Sequence, residues 1–146
     1  MEMSRYQKGL DKLREFTEKD NQEVSTHFKI TENFKMIAPD VSEYMIEFTY
    51  GDIYTRPGLD NKQRALVTIA SLVTQGTEPQ LELHLNAGLT AGLTPEEIIE
   101  VFIQLISYTG FPRVINAIEV AKKVFSQRGV AVKIPEYDHV IDDLED

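Results

Sequence analysis

The 146-residue chain contains no cysteine and no tryptophan. Without cysteine it has no disulfide, no thiolate metal ligand and no dithiol that could cycle between reduced and oxidised forms, and nothing marks it for an oxidising compartment. Histidine is scarce too, with only His27, His84 and His139, so no pair of imidazoles is spaced for a metal site. No segment approaches the ~20 apolar residues needed to span a bilayer. The opening Met1-Glu-Met-Ser-Arg-Tyr-Gln-Lys stretch lacks the apolar run of a leader, so the expected location is the cytoplasm, with no membrane partner. Positive charge is in the minority: 15 Lys and Arg face 24 Asp and Glu, a formal net charge of -9. No window forms the basic stripe that phosphate binding requires, which excludes nucleic acid as a partner. Glu136, Asp138, Asp142, Asp143, Glu145 and Asp146 concentrate much of the excess at the C-terminus, which reads as a solvated end.

What is there is helical. Tyr6, Leu10, Leu13 and Phe16 recur at i, i+3, i+4 spacing and predict an amphipathic helix over 4–20. A second segment, about 22–37, presents Phe28, Phe34 and Ile37 before Ala38-Pro39-Asp40 breaks it, because the residue before proline is pushed out of the helical region. A third runs from about Val41 to Tyr54, with Tyr44, Met45, Phe48 and Ile53 apolar. After the Arg56-Pro57-Gly58 loop, Asp60 or Asn61 can cap a helix to about Thr74 so rich in apolar residues that it should be largely buried. Gly76 ends it, and Glu78-Pro79 can open the next. Thr94-Pro95-Glu96-Glu97 is a capping box with proline in the first turn. Gly110-Phe111-Pro112 turns the chain into a last helix that stops before Gly129. Only Val130 to Ile134 has strand-like alternation, so the fold class is all-α, about six to seven helices in one domain of adequate length for its own core.

The residues around the single central histidine carry most information: His84, then Thr94-Pro95-Glu96-Glu97-Ile98, then Tyr108-x-Gly110-Phe111-Pro112. This spacing, over about Leu59 to Phe125, resembles the carboxymuconolactone decarboxylase family, whose helical bundle is of the alkyl hydroperoxidase D-like type. The resemblance implies a core over 59–129, preceded by an N-terminal helical extension over 1–58 packed on it and followed by an acidic tail over 130–146. In the redox branch of that family a Cys-x-x-Cys pair precedes the histidine; here those positions are Thr77 and Gln80, which excludes thiol peroxidase chemistry. The glutamate of that branch's proton relay is replaced by Ala65.

His84 sits mid-helix beside an apolar stripe, and imidazole is the one side chain here that exchanges a proton at neutral pH without a large perturbation. It is either a packed structural histidine or, as the resemblance implies, a catalytic one. Glu78 and Glu82 do not convert it into a metal site, because Glu82 lies two residues away, about 200° around the helix. Arg64 and Arg113 each offer the planar fork that holds a substrate carboxylate, or a partner for one of many acidic residues. Tyr108 is either a buried anchor for its helix end or a donor to a developing enolate. Glu97 reads as a cap, and Glu100, Gln104 and Asn116 as polar positions of a pocket or a subunit contact.

The resemblance implies a lyase that removes CO2 from a small carboxylated lactone without a cofactor, His84 and Tyr108 being catalytic and Arg64 and Arg113 binding substrate. Two other readings stand beside it: a non-catalytic helical oligomer that keeps the fold, and a lyase or isomerase acting on a different carboxylated metabolite. Under each, so many apolar helices in a short chain favour a homo-oligomer, for which the resemblance implies a trimer or hexamer.

Overall fold

The computed structural model describes residues 1–17, 32 and 34–134. Of the helix expected over 22–37 only residues 32 and 34–37 are among them, and His27, His139 and the acidic residues beyond 134 lie outside. Among the described residues the chain is all-α, with six α-helices and one π-helix and no strand. The stretch 130–134 is extended but unpaired.

Helix α1 (Arg5–Arg14) starts at a capping box in which Ser4 accepts from the Gln7 amide. It stops before residue 20: Glu15, Phe16 and Thr17 form turns that bury Phe16. A short helix α2 (Pro39–Tyr44) runs straight into a π-helix, Met45–Ile53. Its wider i→i+5 bonding is still seen in the Tyr54 amide donating to the Thr49 carbonyl at 2.9 Å. Ile46, Tyr50 and Tyr54 form the buried stripe, whereas Tyr44 and Phe48, which an α-helical period would group together, are exposed. Helix α1 crosses this π-helix at two glycines, Gly9 and Gly51, against the backbone of Ile46 and Arg5.

Helices α3 (Asn61–Gln75), α4 (Glu78–Thr90), α5 (Pro95–Thr109) and α6 (Phe111–Arg128) form the main bundle. Asp60 caps α3 reciprocally with Gln63, and Gly76 ends it in the left-handed region at φ 73°. Thr94 and Glu97 make the expected box at the head of α5, and Gly129 closes α6 at φ 66°. The core gathers Ile69 and Val73 of α3, Leu81 and Leu85 of α4, Ile98 and Phe102 of α5, and Val114, Ala121 and Val124 of α6. Each fully buried Leu, Ile or Phe contributes roughly 1.5–3 kcal/mol of hydrophobic stabilisation. Helix α3 is less buried than its composition suggests. Only the Ala65, Ile69 and Val73 stripe is sealed, and Val67 is 61% exposed.

A smaller cluster joins the N-terminal layer to the bundle. Phe16, Tyr50 and Tyr54 pack on Ala87, with Leu13 and Ala91 at its edge. Their rings meet at tilted and edge-on angles, with centroids 4.9 Å apart for Tyr50 and Tyr54 and 5.6 Å for Phe16 and Tyr54, the geometry favoured by the aromatic quadrupole.

Candidate active site around His84 and Arg64

His84 lies mid-way along α4, three residues before Ala87 and four before Gly88, and these spacings place all three on one face of the helix. That face is the one that docks. Ala87 enters the aromatic cluster, and a β-carbon on Gly88 would come within 3.3 Å of Ile69 Cδ1 and 3.7 Å of Ala65 Cβ. The absence of a side chain at Gly88 therefore lets α4 approach α3 closely one turn from the imidazole. His84 is partly buried, and this burial pushes its pKa down to about 4, so the ring is neutral at physiological pH.

Arg64 stands in the first turn of α3, held from two sides. One Nη2 hydrogen bond goes to the Arg56 carbonyl at 2.6 Å. The guanidinium carbon lies 5.9 Å from the centroid of the Tyr54 ring, a cation–π distance. Its Nε–H is out of solvent with no hydrogen-bond partner among the described residues. One turn along α3, Thr68 meets the Tyr54 hydroxyl at 2.7 Å, so the tyrosine touches both Arg64 and Thr68.

The other expected site residues lie elsewhere. Arg113 is exposed and its Nη1 donates to the Gln75 carbonyl at 3.0 Å, closing the C-terminus of α3. Arg64 and Gln75 are separated along α3 by about 16 Å of helical rise, so within one subunit the two arginines sit at opposite ends of the helix. Tyr108 is 81% exposed and so is not a buried anchor among the described residues. Glu97 is the cap it was read as, and its carboxyl group lies below the usual range because of its bond to the Thr94 amide. Glu100 and Gln104 line two separate open clefts, the first with Ile99, Ile103 and Val132, the second with Leu66, Val67 and Ala70. Asn116 is exposed. Glu82 is paired with Lys123 at 3.0 Å, and no group of three or more His, Asp or Glu side chains among the described residues is placed to hold a metal ion.

Thr77 and Gln80, at the positions of the redox cysteines, have no redox chemistry to offer; Thr77 leans its hydroxyl on the Leu72 carbonyl and Gln80 is exposed. Ala65, in place of the relay glutamate, is a core residue packed beside Gly88. Sequence reasoning missed Tyr54 and Thr68. Thr68 could have been found as the polar residue one turn beyond Arg64, and Tyr54 as the second of two tyrosines four apart.

The all-helical bundle of the described residues, in a chain without a thiol, is consistent with a cysteine-free protein of the alkyl hydroperoxidase D-like type. The sequence model of the carboxymuconolactone decarboxylase family matches residues 39–123, and the chain belongs to that family. The match begins ahead of Leu59 and so takes in α2 and the π-helix as well as the motif-bearing core. The chain is 35% identical over 100 residues to 4-carboxymuconolactone decarboxylase of Acinetobacter baylyi, covering 68% of this chain and 75% of that protein. It is likewise 35% identical over 103 residues to an uncharacterised 15.0 kDa protein of Paracoccus denitrificans, covering 69% and 76%. A nitrosuccinic acid decarboxylase of Metarhizium robertsii is 34% identical over 84 residues, covering 58% and 59%. No helix among the described residues is long and apolar enough to cross a membrane.

Proposed function

We propose that the protein is a cofactor-free decarboxylase of small carboxylated lactones, with Arg64 holding a substrate carboxylate and His84 carrying the proton. One observation carries this reading. In a chain with 24 acidic residues, the partly buried Arg64 has no carboxylate partner among the described residues. A guanidinium kept from the protein's own acids, with one donor unspent, suits an anionic ligand.

Loss of CO2 from such a substrate leaves an electron pair delocalised into the lactone carbonyl, and one carbon of the resulting dienolate then takes a proton. The resting imidazole is neutral. A carboxylate arriving beside it favours the charged form, so His84 gains a proton as substrate binds and passes it to carbon after CO2 departs. The burial that disfavours imidazolium also disfavours a carboxylate and favours its exit as neutral CO2. Enolate stabilisation falls to a backbone amide or, across a subunit contact, to Tyr108.

The active form in this reading is a homo-oligomer, a trimer or hexamer. Val67, Ile103, Tyr108, Phe111 and Ile115 are each at least half exposed, more apolar surface on α3, α5 and α6 than a monomer ordinarily leaves in water. Light scattering on the purified protein checks this, and a monomer at micromolar concentration overturns it.

The function is tested by CO2 release and loss of ultraviolet absorbance from γ-carboxymuconolactone, with wild type beside His84→Ala and Arg64→Ala of confirmed fold. Turnover reduced by about 10²–10⁴ in His84→Ala is expected for a lost proton carrier. Absence of CO2 release by wild type overturns the lactone reading. The fungal relative favours nitrosuccinic acid as a second substrate, because a nitro group can also accept the electron pair; release from that compound alone moves the assignment to nitro-substituted dicarboxylic acids. Release from neither leaves a scaffold.

A further inference from the structure

Tyr54 is the first residue beyond the π-helix, and the segment 54–56 makes two contacts to Arg64 and one to its helix neighbour Thr68. The Tyr54 ring lies under the guanidinium at 5.9 Å, its hydroxyl is bonded to Thr68 at 2.7 Å, and two residues on the Arg56 carbonyl takes the Arg64 Nη2 hydrogen bond at 2.6 Å. Tyr54 is itself fixed, 9% exposed between Phe16 and Tyr50. The ring and the carbonyl occupy one face and one corner of the guanidinium, and neither brings a formal negative charge. The Nε–H, shielded from solvent by its present neighbours, has no hydrogen-bond partner among the described residues. A buried donor left unmade is costly, and an arginine with so many acids available elsewhere has no structural need to be held this way.

We propose that Tyr54 is the positioning residue of a carboxylate-binding site centred on Arg64; this rests on the reading of Arg64 given above. The tyrosine acts through the arginine and does not touch substrate. Its ring holds the guanidinium plane by an uncharged attraction, so the arginine is oriented without being neutralised, and the Nε–H stays available to a carboxylate oxygen. The hydroxyl bond to Thr68 stops the ring from sliding along α3. It also gives the N-terminal layer a function: α1 and the π-helix are the support that brings Tyr54 over α3, and of these the π-helix lies inside the family match, which begins at residue 39.

The test uses the full chain and a saturated probe that cannot decarboxylate, γ-butyrolactone-γ-carboxylate, titrated calorimetrically into wild type, Arg64→Ala, Tyr54→Leu, Tyr54→Phe and the Arg64→Ala/Tyr54→Leu pair. Wild type is expected to bind, and Tyr54→Leu to weaken binding by about tenfold, the size of a desolvated cation–π contact. Tyr54→Phe, which keeps the ring, should stay within about threefold, and the double variant should bind no worse than Arg64→Ala, as two members of one unit do. Tyr54→Leu at wild-type affinity, losses that multiply in the double variant, or a wild type that ignores the probe overturns the proposal. Should Tyr54→Leu not fold, the wild type still decides by nuclear magnetic resonance. The Arg64 Nε–H signal should move when the probe is added, and a signal that stays put is fatal. Turnover is scored separately: probe binding without CO2 release ends the decarboxylase reading and leaves the carboxylate site intact.

Discussion

Gly9 of α1 rests directly on the carbonyl of Ile46 in the π-helix, so closely that a β-carbon at position 9 would overlap the Ile46 oxygen. The contact is backbone on backbone, and no flexible side chain can move aside. Gly9→Ala must therefore lift α1 from the π-helix or distort one of them, at a cost on the order of 1–3 kcal/mol. Gly58→Ala is the control, since nothing lies within 4 Å of a β-carbon there. Urea denaturation of the two variants should separate them clearly, and equal midpoints would mean that the two helices do not meet as described.

The capping box at the head of α5 makes a second, more local prediction. Thr94 Oγ1 accepts from the Glu97 amide at 3.1 Å, and Glu97 returns the bond to the Thr94 amide at 2.9 Å. Thr94→Ala should cost about 1 kcal/mol, whereas Thr94→Ser, which keeps the acceptor, should cost a few tenths. Thermal unfolding of both reports the difference; an alanine variant as stable as the serine one removes the cap from the account.

These two contacts show what the sequence could and could not reveal. The Thr94 box, the Asp60 cap, the Gly76 and Gly129 stops and the Gly110-Phe-Pro turn are set by residues within four positions of one another, so each was legible as a short pattern. The π-helix was not, because the residues it buries, Ile46, Tyr50 and Tyr54, are four apart, as they would be in an α-helix. The site was half legible. His84 and Arg64 stood out by residue type, but the Tyr54 ring, the Thr68 hydroxyl and the Arg56 carbonyl reach Arg64 through tertiary contacts that no spacing rule encodes. Arg113 and Tyr108 were equally prominent in sequence, and the fold sends one to a helix end and the other to the surface.

Arg113 then offers a clean contrast with Arg64. Its guanidinium donates to the Gln75 carbonyl, one of the acceptors that the end of α3 leaves unpaired. Arg113→Ala should lower stability by roughly 0.5–1.5 kcal/mol, a hydrogen bond's net worth, and leave KM for a carboxylated substrate where it was. Steady-state kinetics beside a denaturation curve checks both halves. A KM raised tenfold with stability unchanged would return Arg113 to the substrate.

His84 links pH to stability with a definite sign. Its folded pKa is about 4, below the ordinary value of 6.5, because burial penalises the imidazolium. Above about pH 6.5 the ring is neutral in both states and contributes no pH dependence. Between about 6.5 and 4 the unfolded chain binds a proton that the folded chain does not, so stability falls as pH falls, by on the order of 3 kcal/mol in total. Below about 4 both states are protonated and this contribution levels off. His84→Gln keeps a polar side chain that does not titrate, and should flatten the wild-type curve across that window while the carboxylate titrations remain. Urea midpoints measured from pH 7.5 to 4 for the two proteins give the difference directly. The same depressed pKa means that kcat/KM, which reports groups in the free enzyme, should show no inflection near 6.5; an inflection there that vanishes in His84→Gln would place the ring in water and not in the packed face of α4.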